Sequence, residues 1–197
     1  ARGAGWVFAG LARTMEFIPK GDPEREFYET LFKRMAVKLK SLQKKDGSWA
    51  MSLLAGEKVP EPETSGTGFF TYGLAWGIND GLLDAAEYEE SVAKGWAILN
   101  SAVHPDGKLG WVQAIGAAPG TVSYDDSQLY GVGAYLLAGS AIYDLMLAKE
   151  RTSKQEIMAY GRFVPERRDD FAWENDKVAF RVYGPAAPFE GHSSGVD

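Results

Sequence analysis

Three stretches of this chain carry one hydrophobic signature. Residues 3–12, 66–75 and 131–139 each open Gly-x-Gly and continue in small and apolar side chains, and the openings lie 63 and 65 residues apart. A period of that length points to a repeated supersecondary unit. Each stretch is apolar nearly all round, which predicts a helix buried on every side. Helices of another kind lie between them. Leu31, Phe32, Met35, Leu39 and Leu42 follow helical spacing and predict an amphipathic helix over 23–42, with Pro23 in its first turn and Asp22 as its N-cap. Tyr88, Val92, Trp96 and Leu99 mark the buried stripe of a second over 85–103, capped by Asp84. Asp46-Gly47 and Asp106-Gly107, each followed by an aromatic, strand-like stretch, predict tight turns or hairpins ahead of the second and third apolar helices.

The repeating unit is therefore an apolar helix, an amphipathic helix and a hairpin. An apolar helix beside one with a single wet face is what the inner and outer layers of an α/α toroid require. Gly and Ala on the inner layer let neighbouring backbones approach closely. Five main helices are expected, in the order inner, outer, inner, outer, inner. After Tyr143 the pattern changes. Residues 147–162 are charged and read as a helix end and linker. Residues 178–183 alternate with strand period until Gly184-Pro185 ends them. The expected division is 1–153 for the helical part and 154–197 for a linker and the start of a second, β-rich domain.

Composition narrows the chemistry. With 197 residues, 45% of them hydrophobic, the chain can bury one sizeable core. Six Trp in an acidic chain suit a sugar binder, since flat apolar rings stack on sugar faces; each Trp equally suits a core. The net charge is -6 and no basic block is present, which argues against nucleic acid as a partner. No apolar run is expected to be long enough to span a membrane. There are no cysteines, and the two histidines, His104 and His192, lie far apart. A thiolate site, a His-based metal site and a Ser-His triad are therefore not expected, and no cofactor is implied. His104, ahead of Pro105-Asp106-Gly107, reads as an exposed turn residue. Gly66-Thr67-Gly68 lacks the Lys of a phosphate-binding loop and the strand before a dinucleotide-binding turn. Asp125-Asp126 could do acid–base work as paired carboxylates, but reads first as the cap of the following helix. Thr64-Ser65-Gly66-Thr67 reads the same way, as cap first and pocket rim second.

Several motifs in order carry a family resemblance. Arg2-Gly3-Ala4-Gly5-Trp6, Leu42-Gln43-Lys44-Lys45-Asp46-Gly47-Ser48-Trp49, Pro62-Glu63-Thr64-Ser65-Gly66-Thr67 and Asp125-Asp126-Ser127-Gln128-Leu129-Tyr130-Gly131 together resemble glycoside hydrolase family 105. These are the unsaturated rhamnogalacturonyl hydrolases of pectin degradation, related to the family 88 unsaturated glucuronyl hydrolases. The resemblance covers residues 1 to about 148. It implies an all-α, partial (α/α)6 toroid, about five helices of its C-terminal half, with a short β-type C-terminal extension. It also implies hydration of the C4=C5 double bond of an unsaturated uronic-acid oligosaccharide, and a periplasmic or extracellular setting. In this family the Arg and Trp of the first motif line the substrate pocket, which maps to Arg2 and Trp6. A guanidinium can pair with a uronate carboxylate through two parallel hydrogen bonds, and an indole can stack on the flat ring. The other readings are a helix-capping Arg and a core Trp. Ser127, in the loop at the inner-helix mouth, is a further candidate contact. The usual Asn of the first motif is Ala4 here.

The family's catalytic Asp precedes the first motif, so no catalytic residue is assigned in this chain. Neither end reads as a natural terminus, and the N-terminal half of the same polypeptide is expected upstream. The tail, residues 163–176, looks like the start of an uncharacterised domain found with bacterial polysaccharide-degrading enzymes. A non-catalytic carbohydrate-binding or scaffold module is the alternative to a hydrolase.

Overall fold

The structure is a computed structural model and describes residues 1–116, 118–154, 160–163, 171–174 and 179–182. They fall into two compact units, 1–146 and 147–197. The first unit holds α1 (Arg2–Met15), α2 (Arg25–Leu42), α3 (Thr64–Asn79), α4 (Ala85–Ser101) and most of α5 (Leu129–Lys154). A short antiparallel pair, β1 (Trp49–Ala50) and β2 (Pro62–Glu63), leads into α3. The second unit contains three strands, β3 (Tyr160–Phe163), β4 (Phe171–Glu174) and β5 (Ala179–Val182), in an antiparallel sheet of that order. β4 pairs Phe171 with Phe163 on one side and with Val182 on the other. The alternation read over 178–183 thus appears as β5 within the described residues. His192 and the charged run 166–170 lie outside them.

The sequence pattern explains the helical layers. α3 lies at the centre of the first unit and is buried without a break from Thr64 to Ala75. It packs on α1, on α4 and on α5, where Gly68 meets Ala134 and the Asn79 side-chain amide donates to the Ala141 carbonyl at 2.8 Å. α2 turns Phe32, Ala36 and Leu39 inward, and Phe32 stacks on Phe8 of α1 with ring centroids 4.4 Å apart. α4 buries Tyr88, Val92 and Leu99, the stripe expected of it, and Trp96 stacks on Tyr135 of α5. Asp84 caps α4 by accepting from the Ala86 N–H. Asp22 accepts from the Glu24 N–H, so it caps the turn leading to α2, which begins two residues later than Pro23 suggests. Both Asp-Gly turns are present. Gly47 takes φ 92°, a left-handed value that side chains resist, and the bridges Gln43–Trp49 and Val103–Leu109 close the two turns. Trp49 is a core residue, fully buried with its indole N–H on the Leu39 carbonyl at 2.7 Å.

Burial on every side holds for α3 from Thr64 to Ala75 but not for α1 or α5. α1 exposes Trp6 and Val7, and α5 exposes Leu136, Tyr143 and Met146. Among the described residues α3 has α1, α4 and α5 packed around it, whereas α1 and α5 lie at the two ends of the arc. α5 also corrects the expectation about membranes. The helix stretch 129–152 holds an 18-residue window long and apolar enough to cross one, with a mean hydropathy of 1.4. Its small-residue stripe, Ala134, Ala138 and Ala141, is nevertheless buried against the neighbouring helices, as an inner toroid helix requires.

The close approach of α1 and α3 is set at Gly73. A Cβ there would lie 2.4 Å from the Phe8 ring, which is held in place by stacking on Phe32. Gly73→Ala gains about 1 kcal/mol of helix propensity. It forces overpacking that costs about 1–3 kcal/mol. A net loss of thermal stability is expected, checked by melting the variant beside the wild type.

Candidate functional site

The three inner helices run the same way. Ala1 and Gly66 approach each other at the starts of α1 and α3, and Arg2 reaches Tyr130 at the start of α5. Their N-terminal ends therefore share one rim. A cleft of about 290 Å³ opens there, lined by Ala1, Arg2, Gly3, Trp6, Met51, Gln113, Gly116, Ala118 and Pro119.

Two of the residues singled out in the sequence meet in this cleft. The Arg2 guanidinium donates through Nη1 to the Gln113 carbonyl (3.2 Å), the Ala114 carbonyl (2.9 Å) and the Tyr130 hydroxyl (2.8 Å), and it sits 5.1 Å from the centre of the Tyr130 ring. The Tyr130 hydroxyl in turn donates to the Gln113 carbonyl. Three acceptors thus fix one edge of the guanidinium. Among the described residues Nε and Nη2 make no hydrogen bond, which leaves the other edge for a planar anion. Trp6 is 52% exposed, with one flank of its ring against Phe69 at 4.3 Å between centroids. An indole braced on one side and open on the other is a stacking surface. Ser127 is half-buried in the loop before α5 and does not line the cleft.

The rim is built around a residue the sequence reading passed over. Glu63 is fully buried and is the N-cap of α3. Its Oε1 accepts from the Ser65 N–H (3.0 Å), the Ser65 hydroxyl (2.5 Å) and the Gln113 N–H (3.3 Å), and its Oε2 accepts from the Gly66 N–H (2.7 Å). The carboxylate therefore satisfies N–H groups that a buried helix start would leave unpaired, in the place where the helix dipole favours an anion. This corrects the reading of Thr64-Ser65 as the cap. Thr64 instead donates to the Gly110 carbonyl, and Ser65 donates to Glu63.

The segment 110–113 is held in an unusual conformation. Trp111 has φ 57°, the one non-glycine positive value among the described residues. Such a conformation costs about 1–3 kcal/mol and persists only where its surroundings fix it. Here the Trp111 carbonyl accepts from Thr64, and the Val112 N–H donates to the Asp126 carbonyl. Asp126 does not cap α5. Its carboxylate accepts from the Ser123 N–H and hydroxyl and so closes the turn 123–126. His104 is half-buried rather than exposed. Its ring stacks on Tyr124 at 3.7 Å, and its Nε2 lies 2.7 Å from the Tyr124 carbonyl, which ties that turn to the second Asp-Gly hairpin.

A second cavity, about 360 Å³, lies at the C-terminal ends of the same helices, among Arg13, Glu16, Tyr72, Trp76, Asn79 and Asp144. Burial there, with the Glu16 carboxylate nearby, pushes the Tyr72 hydroxyl up to about 12. None of the motif residues reaches it.

Glu63→Gln would turn an N–H₂ toward donors and leave at least one buried N–H unpaired. A loss of about 2–4 kcal/mol is expected. Denaturant unfolding would check it; equal midpoints for variant and wild type would contradict the clamp.

The model of Glycosyl Hydrolase Family 88 matches residues 1–146, and that of a Domain of unknown function (DUF4861) matches residues 141–197. An unsaturated 3S-rhamnoglycuronyl hydrolase of Formosa agariphila is 49% identical over 145 residues, which is 74% of this chain and 38% of that protein. The solved family 88 glycosyl hydrolase from Bacteroides vulgatus is 42% identical with a TM-score of 0.68, over 71% of this chain and 41% of the other. A possible family 105 member from Salmonella enterica, 18% identical with a TM-score of 0.62 over 72% and 39%, shares the fold. The chain spans about two fifths of the length of these relatives. Its helices are those of a partial (α/α)6 toroid, and residues 1–146 belong to glycosyl hydrolase family 88.

Proposed function

We propose that the protein carrying this chain hydrolyses unsaturated uronyl oligosaccharides by adding water across the C4=C5 double bond. The observation that carries the reading is the guanidinium of Arg2, fixed along one edge and open along the other, beside the half-exposed ring of Trp6. Arg2 pairs with the uronate carboxylate, Trp6 stacks on the ring, and Ser127 lies farther out along the bound chain. Protonation of the vinyl ether and attack by water give a hemiketal that opens and releases the next sugar.

The relative's name, unsaturated 3S-rhamnoglycuronyl hydrolase, supports a rhamnoglycuronyl substrate. The family 105 motifs spread from Arg2 to Gly131 support a rhamnogalacturonyl one, and the family 105 assignment itself belongs to this proposal. The catalytic Asp is read as lying in the N-terminal half of the same polypeptide. Residues 154–197 are read as a linker and the start of a second domain.

One observation favours a binding role for this chain by itself. Among the described residues the cleft lining holds no Asp, Glu or His to act as the acid. The chain alone should therefore bind without turning over.

Both statements are testable through the ultraviolet absorbance of the conjugated double bond. The chain alone should leave it unchanged. In the full-length protein Arg2→Ala should raise KM about 10–100-fold through loss of a charge-assisted pair. Arg2→Lys, which keeps the charge and loses the fork, should recover only part of that. Unaltered kinetics in both variants would remove Arg2 from the site.

A further inference from the structure

Gln113 is 9% exposed, yet its side-chain nitrogen Nε2 is buried without a hydrogen-bond partner. The backbone of the same residue is engaged on both sides. Its N–H donates to Glu63 at 3.3 Å, and its carbonyl accepts from Arg2 and from Tyr130. Two residues earlier the chain is held in the left-handed region at Trp111, and Val112 is tied to Asp126. The side chain is therefore presented by a backbone that has no freedom to withdraw it. It lines the cleft that holds Arg2 and Trp6.

A carboxamide nitrogen can only donate, and a buried donor left unpaired is unfavourable. Folded proteins retain such groups rarely, and a binding site is one place where retention has a use, because a ligand supplies the missing acceptor. The other wall of the cleft already presents a guanidinium edge and an aromatic face. A ligand fitting all three brings an anionic group for the guanidinium, a flat or apolar ring face for the indole and a further acceptor oxygen for the amide.

We propose that Gln113 is a further substrate-binding residue, its Nε2 donating to an acceptor oxygen of the acidic sugar whose carboxylate pairs with Arg2. This rests on the reading of the cleft as a uronyl site and adds to it a neutral donor. Arg2 reads the charge of the sugar. Gln113 reads the position of a second oxygen, and so contributes to which uronyl group is accepted.

The test uses the full-length protein and a Δ4,5-unsaturated uronyl-rhamnose disaccharide as the probe. Gln113→Met keeps the length of the side chain and removes the donor. Because Nε2 is unpaired in the free protein, the substitution should leave the melting temperature unchanged or raise it. KM and the dissociation constant should rise about tenfold with kcat little changed, as for loss of one hydrogen bond made equally in ground and transition state. Gln113→Glu places a carboxylate against the one on the sugar and should weaken binding further. Wild-type affinity in Gln113→Met would overturn the proposal. So would a joint fall of affinity and melting temperature, which would mark the side chain as structural. The two readings separate cleanly. A wild-type protein that does not bind the disaccharide defeats the uronyl reading itself, whereas wild-type binding that Gln113→Met leaves intact defeats only the role of Gln113.

Discussion

The first unit depends on how the start of α3 is satisfied. α3 is buried from its first residue, so its leading N–H groups cannot turn to water. Glu63 supplies the acceptors from within the same segment. A carboxyl side chain in a fully buried position is tolerable only when donors surround it, and here the helix start, a serine hydroxyl and the Gln113 N–H do so. The clamp that completes the helix therefore also fixes the segment 110–113. That segment holds Arg2 through its carbonyls, and through Arg2 the rim of the cleft.

Packing of the inner layer follows from side-chain size. At Gly68 a Cβ would lie 2.9 Å from Ala134, and at Gly73 it would strike Phe8. Small residues at the contacts bring helix axes close, and the large rings fill the space between layers, as Phe8 does against Phe32 and Trp49 against Phe70. The outer helices then need only one apolar stripe each, which leaves their charged faces to water. Arg25 shows how polar groups are fitted into this scheme. It is buried at the start of α2, yet it donates to the carbonyls of Met15 and Ile18 and pairs with Glu29 and Asp80, so every direction it faces holds an acceptor.

The cleft combines fixed and open groups. Arg2 is immobilised on one edge by three acceptors, Trp6 is braced by Phe69, and the backbone behind Gln113 is strained and tied down. Groups held in this way lose little freedom when a ligand arrives, which is the physical content of preorganisation. The lining includes one guanidinium, one open aromatic face and one neutral amide, the three groups that the proposed acidic sugar would engage.

Local periodicity was enough to read the inner and outer helix layers, while the six-pair toroid rested on the family resemblance. Phe32, Leu39, Tyr88, Val92 and Leu99 lie inward because amphipathic spacing leaves a helix one way to face, and the Asp-Gly pairs turn because Gly47 and Gly107 accept the left-handed backbone there. The ordered motifs singled out Arg2 and Trp6, and the structure puts both in the lining of one cleft. Three features escaped that reading, each for a reason outside the local sequence. Glu63 is an uncommon N-cap type, and only the buried setting of α3 makes a longer carboxylate useful in that place. Gln113 ends the strand-like stretch after Asp106-Gly107, a pattern that marks a hairpin and not a side-chain role; its part depends on Glu63, Arg2 and Tyr130 converging from segments far apart in the chain. The exposed faces of α1 and α5 follow from position at the ends of the arc, which composition does not encode. Sequence determined which helices form and which way the amphipathic ones turn, because those are properties of short-range spacing. Tertiary structure decided which carboxylate is buried, which donor is left unpaired and which apolar face stays open, because each depends on what a distant segment places beside it.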